Sequence, residues 1–250
     1  MSDATIKSAR RVFEVFEYFD AVRAPLSLKQ ICDQYGYPPS SGAAILKSLV
    51  MLGYLEYDKR SRTYLPTMRI AALGGWVVTD LFGGMNIIGL METLRDETRE
   101  TVILAAQSDL HAQYVHVIFS REPLNYTVQP GTLRPLARSG FGRLLLSGHT
   151  DHSIRSIVRR IDAARDAGEE KIDVEELLAS INEIRRNGYA ISHNLITQGV
   201  GIIGVLLPET PFRRIFAIGL GGPSERIIAG RDKHLALLRE TVAKFSEILK

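Results

Sequence analysis

Between Ser27 and Thr67 the chain reads SLKQICDQYGYPPSSGAAILKSLVMLGYLEYDKRSRTYLPT, and no other stretch limits the possible folds as tightly. Leu28, Ile31, Cys32 and Tyr35 recur at helical spacing, and Gly36 closes that stripe. Pro38-Pro39-Ser40 then opens another helix, with Ile45, Leu49 and Leu52 expected to face inward and Gly53 to stop it. Two short aromatic and β-branched runs, Tyr54–Tyr57 and Thr63–Leu65, flank a polar turn from Asp58 to Arg62, which predicts a β-hairpin. Upstream, Val12, Val15, Phe16 and Phe19 form a further stripe, ended by Pro25. Three short helices and a hairpin in this order make a winged helix-turn-helix.

Charge placement agrees with that reading. The net charge is +3, yet residues 1–69 hold ten Lys or Arg against seven Asp or Glu, and the remainder holds twenty-one of each. The whole excess lies where a polyanion would be held. Lys7, Arg10, Arg11 and Lys47 on the helices, with Lys59, Arg60 and Arg62 at the hairpin tip, are the candidates for phosphate or minor-groove contact with double-stranded DNA. The start of the third helix is bare by comparison. Ser40 and Ser41 can bond phosphate or base edges, whereas Ala43 and Ala44 offer only methyl contacts to thymine. Affinity is therefore expected from the basic residues, with modest base readout and some selectivity from DNA shape.

Pro66-Thr67 starts another helix, Met68 to about Leu81, which divides the chain into residues 1–66, a linker helix at 67–83, and a second domain at 84–250. The pairs Gly74-Gly75 and Gly83-Gly84 suggest close helix packing or a bend. A helix from about Met85 to Arg99 leads into a hairpin, TVILAAQSDLHAQYVHVIFS, and LNYTVQPG offers a third strand. Helices are expected near Ser139–Ser147, His152–Ala167 and Val174–Asn187, and strands at Tyr189–Ile191, Gly201–Leu207 and Ile215–Leu220. A last helix runs from about Arg231 to Leu249. The fold class is α+β, on a mainly antiparallel sheet.

Several function classes lose support. The single cysteine, Cys32, rules out internal disulfides and multi-cysteine zinc sites, and its apolar helical face suits a buried thiol. HTDH (His149–His152) lacks a third strong ligand nearby. GVGIIG (Gly199–Gly204) matches a dinucleotide fingerprint in letters, but it runs into a strand rather than a helix, so no helix N-terminus would receive a pyrophosphate. No GxSxG or HExxH occurs. No enzyme chemistry, cofactor or metal is expected. The apolar run Ile70–Met91 carries Asp80 and two glycine pairs, which argues against a membrane span, and the N-terminus has no secretion signal. The expected location is cytoplasmic.

Beyond the helix-turn-helix, the segments LRDETRETVIL, PLARSGFGRLLLS, IRRNGYAIS, QGVGIIGVLLP and IGLGGPSERI follow in order. Together they make the chain resemble the IclR (isocitrate lyase regulator) family of bacterial transcription regulators over nearly its whole length. The resemblance implies a GAF-like small-molecule domain behind the winged helix, and dimers or tetramers that bind paired half-sites of a palindromic operator. Family recognition helices usually begin with Lys, a Ser-Thr pair and then His or Arg, where this chain has Pro39, Ser40, Ser41, Ala43 and Ala44. The family's effector pocket maps onto Ser139-Gly140-Phe141-Gly142-Arg143, Ser192, Ile202, Gly219 and Gly221. Phe141 stands where a small residue is usual, Ser192 at a common acid, Ile202 at a cysteine, and both glycines at positions that often carry serine. Such a pocket should disfavour a small polar acid and suit a larger apolar or aromatic carboxylate. Arg138 would pair with that carboxylate if it points inward; otherwise it faces solvent. The alternative is a ligand-independent DNA-binding or architectural protein, its pocket plugged by Phe141 and Ile202.

Overall fold

In the computed structural model, which describes residues 6–81, 86–208 and 214–248, the chain divides into two units, Met1–Val78 and Thr79–Lys250. The first begins with α1 (Lys7–Val22), the two-residue strand β1 (Leu26–Ser27) and α2 (Leu28–Tyr35). Ser27 starts α2 through a capping box with Gln30, and Gly36 ends it in the left-handed region at φ 65°. Proline at the first position opens α3 (Pro39–Met51). The hairpin of β2 (Leu55–Asp58) and β3 (Thr63–Pro66) completes a three-stranded sheet in the order β1-β3-β2. Val15, Phe19, Leu26, Ile31, Leu46, Leu49 and Leu55 fill the core.

The inward face of α3 differs from the one the apolar spacing suggested. Gly42, Leu46 and Leu49 are buried, while Leu52 is 55% exposed and Ile45 only partly covered. The cause is the close crossing of α2: a Cβ at Gly42 would overlap Cys32 Sγ and lie 3.2 Å from Leu28. Only the glycine edge of α3 can approach that far, so the helix turns Gly42 and its i+4 neighbour Leu46 inward. Cys32 is buried there as a free thiol. α4 (Met68–Leu81) runs through Gly74-Gly75 without a break, and an added Cβ at either glycine meets nothing within 4 Å. That pair does not mark close packing within the described residues. Gly83-Gly84 lies outside them.

The second unit opens with α5 (Ile87–Thr98), followed by β4 (Thr101–Ser108), β5 (His111–Ile118) and β6 (Leu133–Pro135). Helices α6 (Gly140–Ser147), α7 (Asp151–Ala163) and α8 (Val174–Asn187) come next. Then follow β7 (Ala190–His193), β8 (Val200–Leu206), β9 (Phe216–Pro223), α9 (Ser224–Ala229) and α10 (Arg231–Ile248). The six-stranded sheet has the order β6-β5-β4-β9-β8-β7, and every pairing is antiparallel. One face packs on α6, with α8 behind it, and the other on α5, α9 and α10.

The third strand is β6, not Leu124–Gly131. The latter segment has Tyr126 and Val128 buried, but side chains and a single β5 carbonyl take up its backbone bonds: Thr101 Oγ1 donates to Tyr126 O at 2.8 Å, Arg226 Nη2 to Leu124 O at 3.0 Å, and Gly131 N to Tyr114 O at 2.7 Å. GVGIIG lies largely within β8, as its lack of a following helix suggested. Among the described residues no helix is long and apolar enough to cross a membrane.

A buried histidine, His234, and a half-buried one, His149, tie this unit's stability to pH. Burial pushes both His149 and His234 below the ordinary 6.5, and for His234 it outweighs the opposing carboxylate of Glu100. His149 Nε2 and His234 Nδ1 also have no hydrogen-bond partner. The unfolded chain therefore takes up these protons first as pH falls, so stability is full above about 6.5 and declines below it. The urea midpoint at pH 5.5 is expected to fall below that at pH 7.5, with a smaller difference in His234→Gln. An unchanged pH difference in that variant would exclude His234 as a contributor.

Candidate DNA-binding surface and effector cavity

In the first unit, helical spacing sets Ser40, Ala43, Ala44 and Lys47 along one side of α3, where Ser40, Ala44 and Lys47 are exposed. Ser41 is already engaged. Arg11 Nη1 donates to its hydroxyl at 2.6 Å, and the same guanidinium lies 4.7 Å above the Tyr37 ring. Tyr37 in turn donates to Glu14 Oε2, so its phenol, raised by burial and then by that bond, stays neutral. Residues from α1, the interhelical turn and α3 are thereby joined into one polar cluster. Tyr37, which the sequence reading passed over, is its centre; an aromatic in a three-residue turn between helices was the available signal. Lys7 and Arg10 are exposed on α1, and Arg10 lies 3.6 Å from Glu14.

The wing tip is organised by Asp58. Its carboxylate accepts from Arg60 N and Ser61 Oγ, both at 2.8 Å, and these bonds hold it below the usual carboxylate range. Arg62 takes a left-handed conformation at φ 57°. Lys59, Arg60 and Arg62 are exposed around this turn, so three cations surround a pre-shaped loop.

In the second unit a cavity of about 30 Å³ lies where α6 begins against the sheet. Ser139 caps α6, its hydroxyl accepting from Gly142 N at 3.1 Å. Ser139, Gly140, Ser192 and Ile202 line the cavity together with Tyr114, Tyr126, Arg134 and the turn residues Leu195–Thr197. Four of the eight residues expected here are thus brought together. Arg138 is exposed and donates to the carbonyl of Glu170. Phe141 is not a plug: it is 0% exposed in the core, edge-on to Tyr114 at 5.4 Å. Gly219 and Gly221 do not line the cavity but make room around it. A Cβ at Gly219 would overlap the Ile203 carbonyl and Gly204 Cα of β8 and lie 2.9 Å from Phe141 Cζ, and one at Gly221 would lie 2.6 Å from Tyr126 Cδ1. Ile202 does narrow the space, its Cδ1 2.5 Å from where a Cβ on Gly140 would stand.

Arg134, Tyr114 and Tyr126 are the lining residues that sequence reading missed. Their signal was strand register. Arg134 pairs with Ala112, which is fully buried, and β5 alternation puts Tyr114 on the same face. Arg134 Nη2 donates to the Tyr126 hydroxyl at 3.0 Å. Burial is the main force raising the Tyr114 phenol, which keeps it uncharged.

A basic winged helix in one unit and a small cavity at a helix start in the other define a class: a transcription regulator with a DNA-binding domain and an effector domain. Comparison with known proteins makes the class specific. Residues 8–59 match the model of the IclR helix-turn-helix domain, and residues 84–247 that of the bacterial transcriptional regulator IclR C-terminal domain. The chain belongs to the IclR family. It is 22% identical over 245 residues to the HTH-type transcriptional regulator KdgR of Escherichia coli, covering 97% of this chain and 92% of that protein. The effector domain of a putative IclR regulator from Acinetobacter is 32% identical, with a TM-score of 0.58 over 64% of this chain and 93% of that one. An IclR homolog of Microbacterium hydrocarbonoxydans, solved in complex with 4-hydroxybenzoate, is 19% identical with a TM-score of 0.64, covering 97% and 99%.

Proposed function

We propose that the chain is an operator-binding regulator that works as a dimer or a dimer of dimers in the cytoplasm. Residues 1–66 would engage one half-site each of a palindromic operator, and residues 84–250 would bind an apolar or aromatic carboxylate. The helical segment at 67–83 would carry the change between them. The observation that supports this reading best is the pairing of an exposed basic wing with a cavity that contains a single cation. Lys7, Arg10, Lys47, Lys59, Arg60 and Arg62 would supply phosphate contacts, and Ser40 with the methyls of Ala43 and Ala44 the base contacts. Ser41 and Arg11, already joined, would act as one unit. Binding of 4-hydroxybenzoate by a structural neighbour supports an aromatic acid as the ligand class. Regulation requires that the effector bind the DNA-competent and incompetent states unequally.

Selection of bound sequences from a random duplex pool, followed by a salt titration, tests the DNA half. An inverted repeat is expected, with log K falling against log salt by about 0.9 per phosphate contact. Salt-sensitive binding with no preferred sequence would instead favour a ligand-independent architectural protein. The one observation in favour of that second reading is the narrowness of the cavity, which Ile202 restricts.

A further inference from the structure

The cavity has an uneven electrostatic lining. Among the described residues that form it, Arg134 alone carries a charge. A guanidinium presents five N–H donors in a planar fork that fits the two oxygens of a carboxylate. Arg134 donates to the Tyr126 hydroxyl, and no acidic side chain lines the space around it. The contrast with Arg226 is direct, because there the fork closes on both oxygens of Glu100. A half-buried guanidinium in a lining whose other polar side chains are hydroxyls has lost hydration without gaining a counter-charge. An anion supplied from outside the chain would restore that balance.

The remaining walls specify the rest of such a ligand. Val200, Ile202, Leu195 and Ile196 give the cavity an apolar side, whereas Tyr114, Ser139 and Ser192 offer hydroxyls. Among the described lining residues there is no second cation to receive a second carboxylate. The free volume, about 30 Å³, is on the scale of one or two waters, so the body of any larger acid must displace the turn at Leu195–Thr197. Its base is closed by Asn194, whose N donates to Val200 O at 2.9 Å and whose Oδ1 accepts from Gly199 N at 2.7 Å and Ser224 Oγ at 3.3 Å; Val200 N donates to Thr197 O at 3.2 Å, and Ser224 N to Gly199 O at 2.8 Å.

We propose that Arg134, rather than Arg138, determines effector specificity: it binds the carboxylate of a singly charged acid whose apolar body lies against Val200 and Ile202. This rests on the effector-binding reading above and adds to it the anchoring residue and the charge of the ligand.

The test uses the full chain and four probes, benzoate, 4-hydroxybenzoate, benzamide and terephthalate, with dissociation constants from calorimetry. The two monoanions are expected to bind at least about tenfold tighter than the neutral amide and the dianion, as a charged hydrogen bond would give. Arg134→Met should weaken monoanion binding by about 10- to 100-fold, and Arg134→Lys by less, because it keeps the charge and loses the fork. Arg138→Gln should bind as wild type does. Equal affinity for benzoate and benzamide would overturn the proposal, and so would undiminished monoanion binding in Arg134→Met. If Arg134→Met fails to fold, the wild-type ratio of acid to amide decides, together with its change in Arg134→Lys. Binding of the amide without the acids would remove Arg134's role yet leave an effector domain. Binding of none of the four, with operator affinity unchanged by any of them, would count against the effector reading itself.

Discussion

Replacing Arg226 by leucine is expected to lower the unfolding free energy of the second unit by about 3 kcal/mol, the cost of leaving a buried charge without its partner. Glu100 is 1% exposed and has no route to water. Arg226 supplies its counter-charge through two N–H groups, one of them 2.7 Å from Oε2, and also holds the carbonyl of Leu124. The arginine side chain is itself 38% exposed; solvent screens part of the pair and keeps the figure at the low end of the range for buried pairs. Adding Glu100→Gln to Arg226→Leu should recover part of the loss, since the buried charge is then gone. Urea unfolding of the three variants checks this. A loss below about 1 kcal/mol in the single variant would mean that the pair behaves as a surface ion pair.

Gly142→Ala is expected to be comparably damaging for a different reason. A Cβ there would lie 2.7 Å from both Cα and C of Leu136, with the carbonyl oxygen closer still. Backbone cannot move aside as a side-chain tip can, so the start of α6 must shift away from the Leu136 segment. A cost of about 3 kcal/mol, the upper end for overpacking, is expected in the unfolding midpoint. Gly74→Ala is the contrasting case. Its added methyl meets open space within a helix, and the change should be neutral or stabilising by up to about 1 kcal/mol. Similar losses in both variants would rule out the steric account.

Gly142 also shows how far the sequence could be read. The run Ser139-Gly140-Phe141-Gly142 marks the helix start in the sequence, and the structure supplies the reason for Gly142: the close approach of the Leu136 carbonyl, six residues earlier. The winged helix was legible because its signals are local, namely periodic stripes, Gly36, Pro39 and a polar turn. What was illegible depended on partners remote in the chain. Leu124–Gly131 has the composition of a strand, yet Thr101 and Arg226 satisfy its backbone from elsewhere. β6 is three residues long and contains a proline, and α9 has six residues, both too short for periodicity to register. Arg138 was considered because it adjoins the helix start, and Arg134 was not considered. Side-chain direction there is decided by the pleat of β6 and its pairing with Ala112, which only the sheet reveals. The inward side of α3 was misjudged for the same reason, since Cys32 on α2 selects it.

The glycines beneath the cavity have a consequence for how this pocket diversifies among relatives. Tyr126 occupies the space above Gly221, where an added methyl would overlap its ring, whereas one on Gly219 would meet the backbone of Ile203 and Gly204 before it met Phe141. The Tyr126–Gly221 pair is volume-coupled, so side-chain size should covary between residues 126 and 221, whereas growth at 219 also requires the β8 backbone to move. A lineage that acquires serine at 221 must shrink the ring at 126 in the same step or soon after. Retuning of ligand preference should therefore proceed by reciprocal exchanges across the sheet face, with single large-for-small replacements confined to the rim formed by Leu195, Ile196 and Val200.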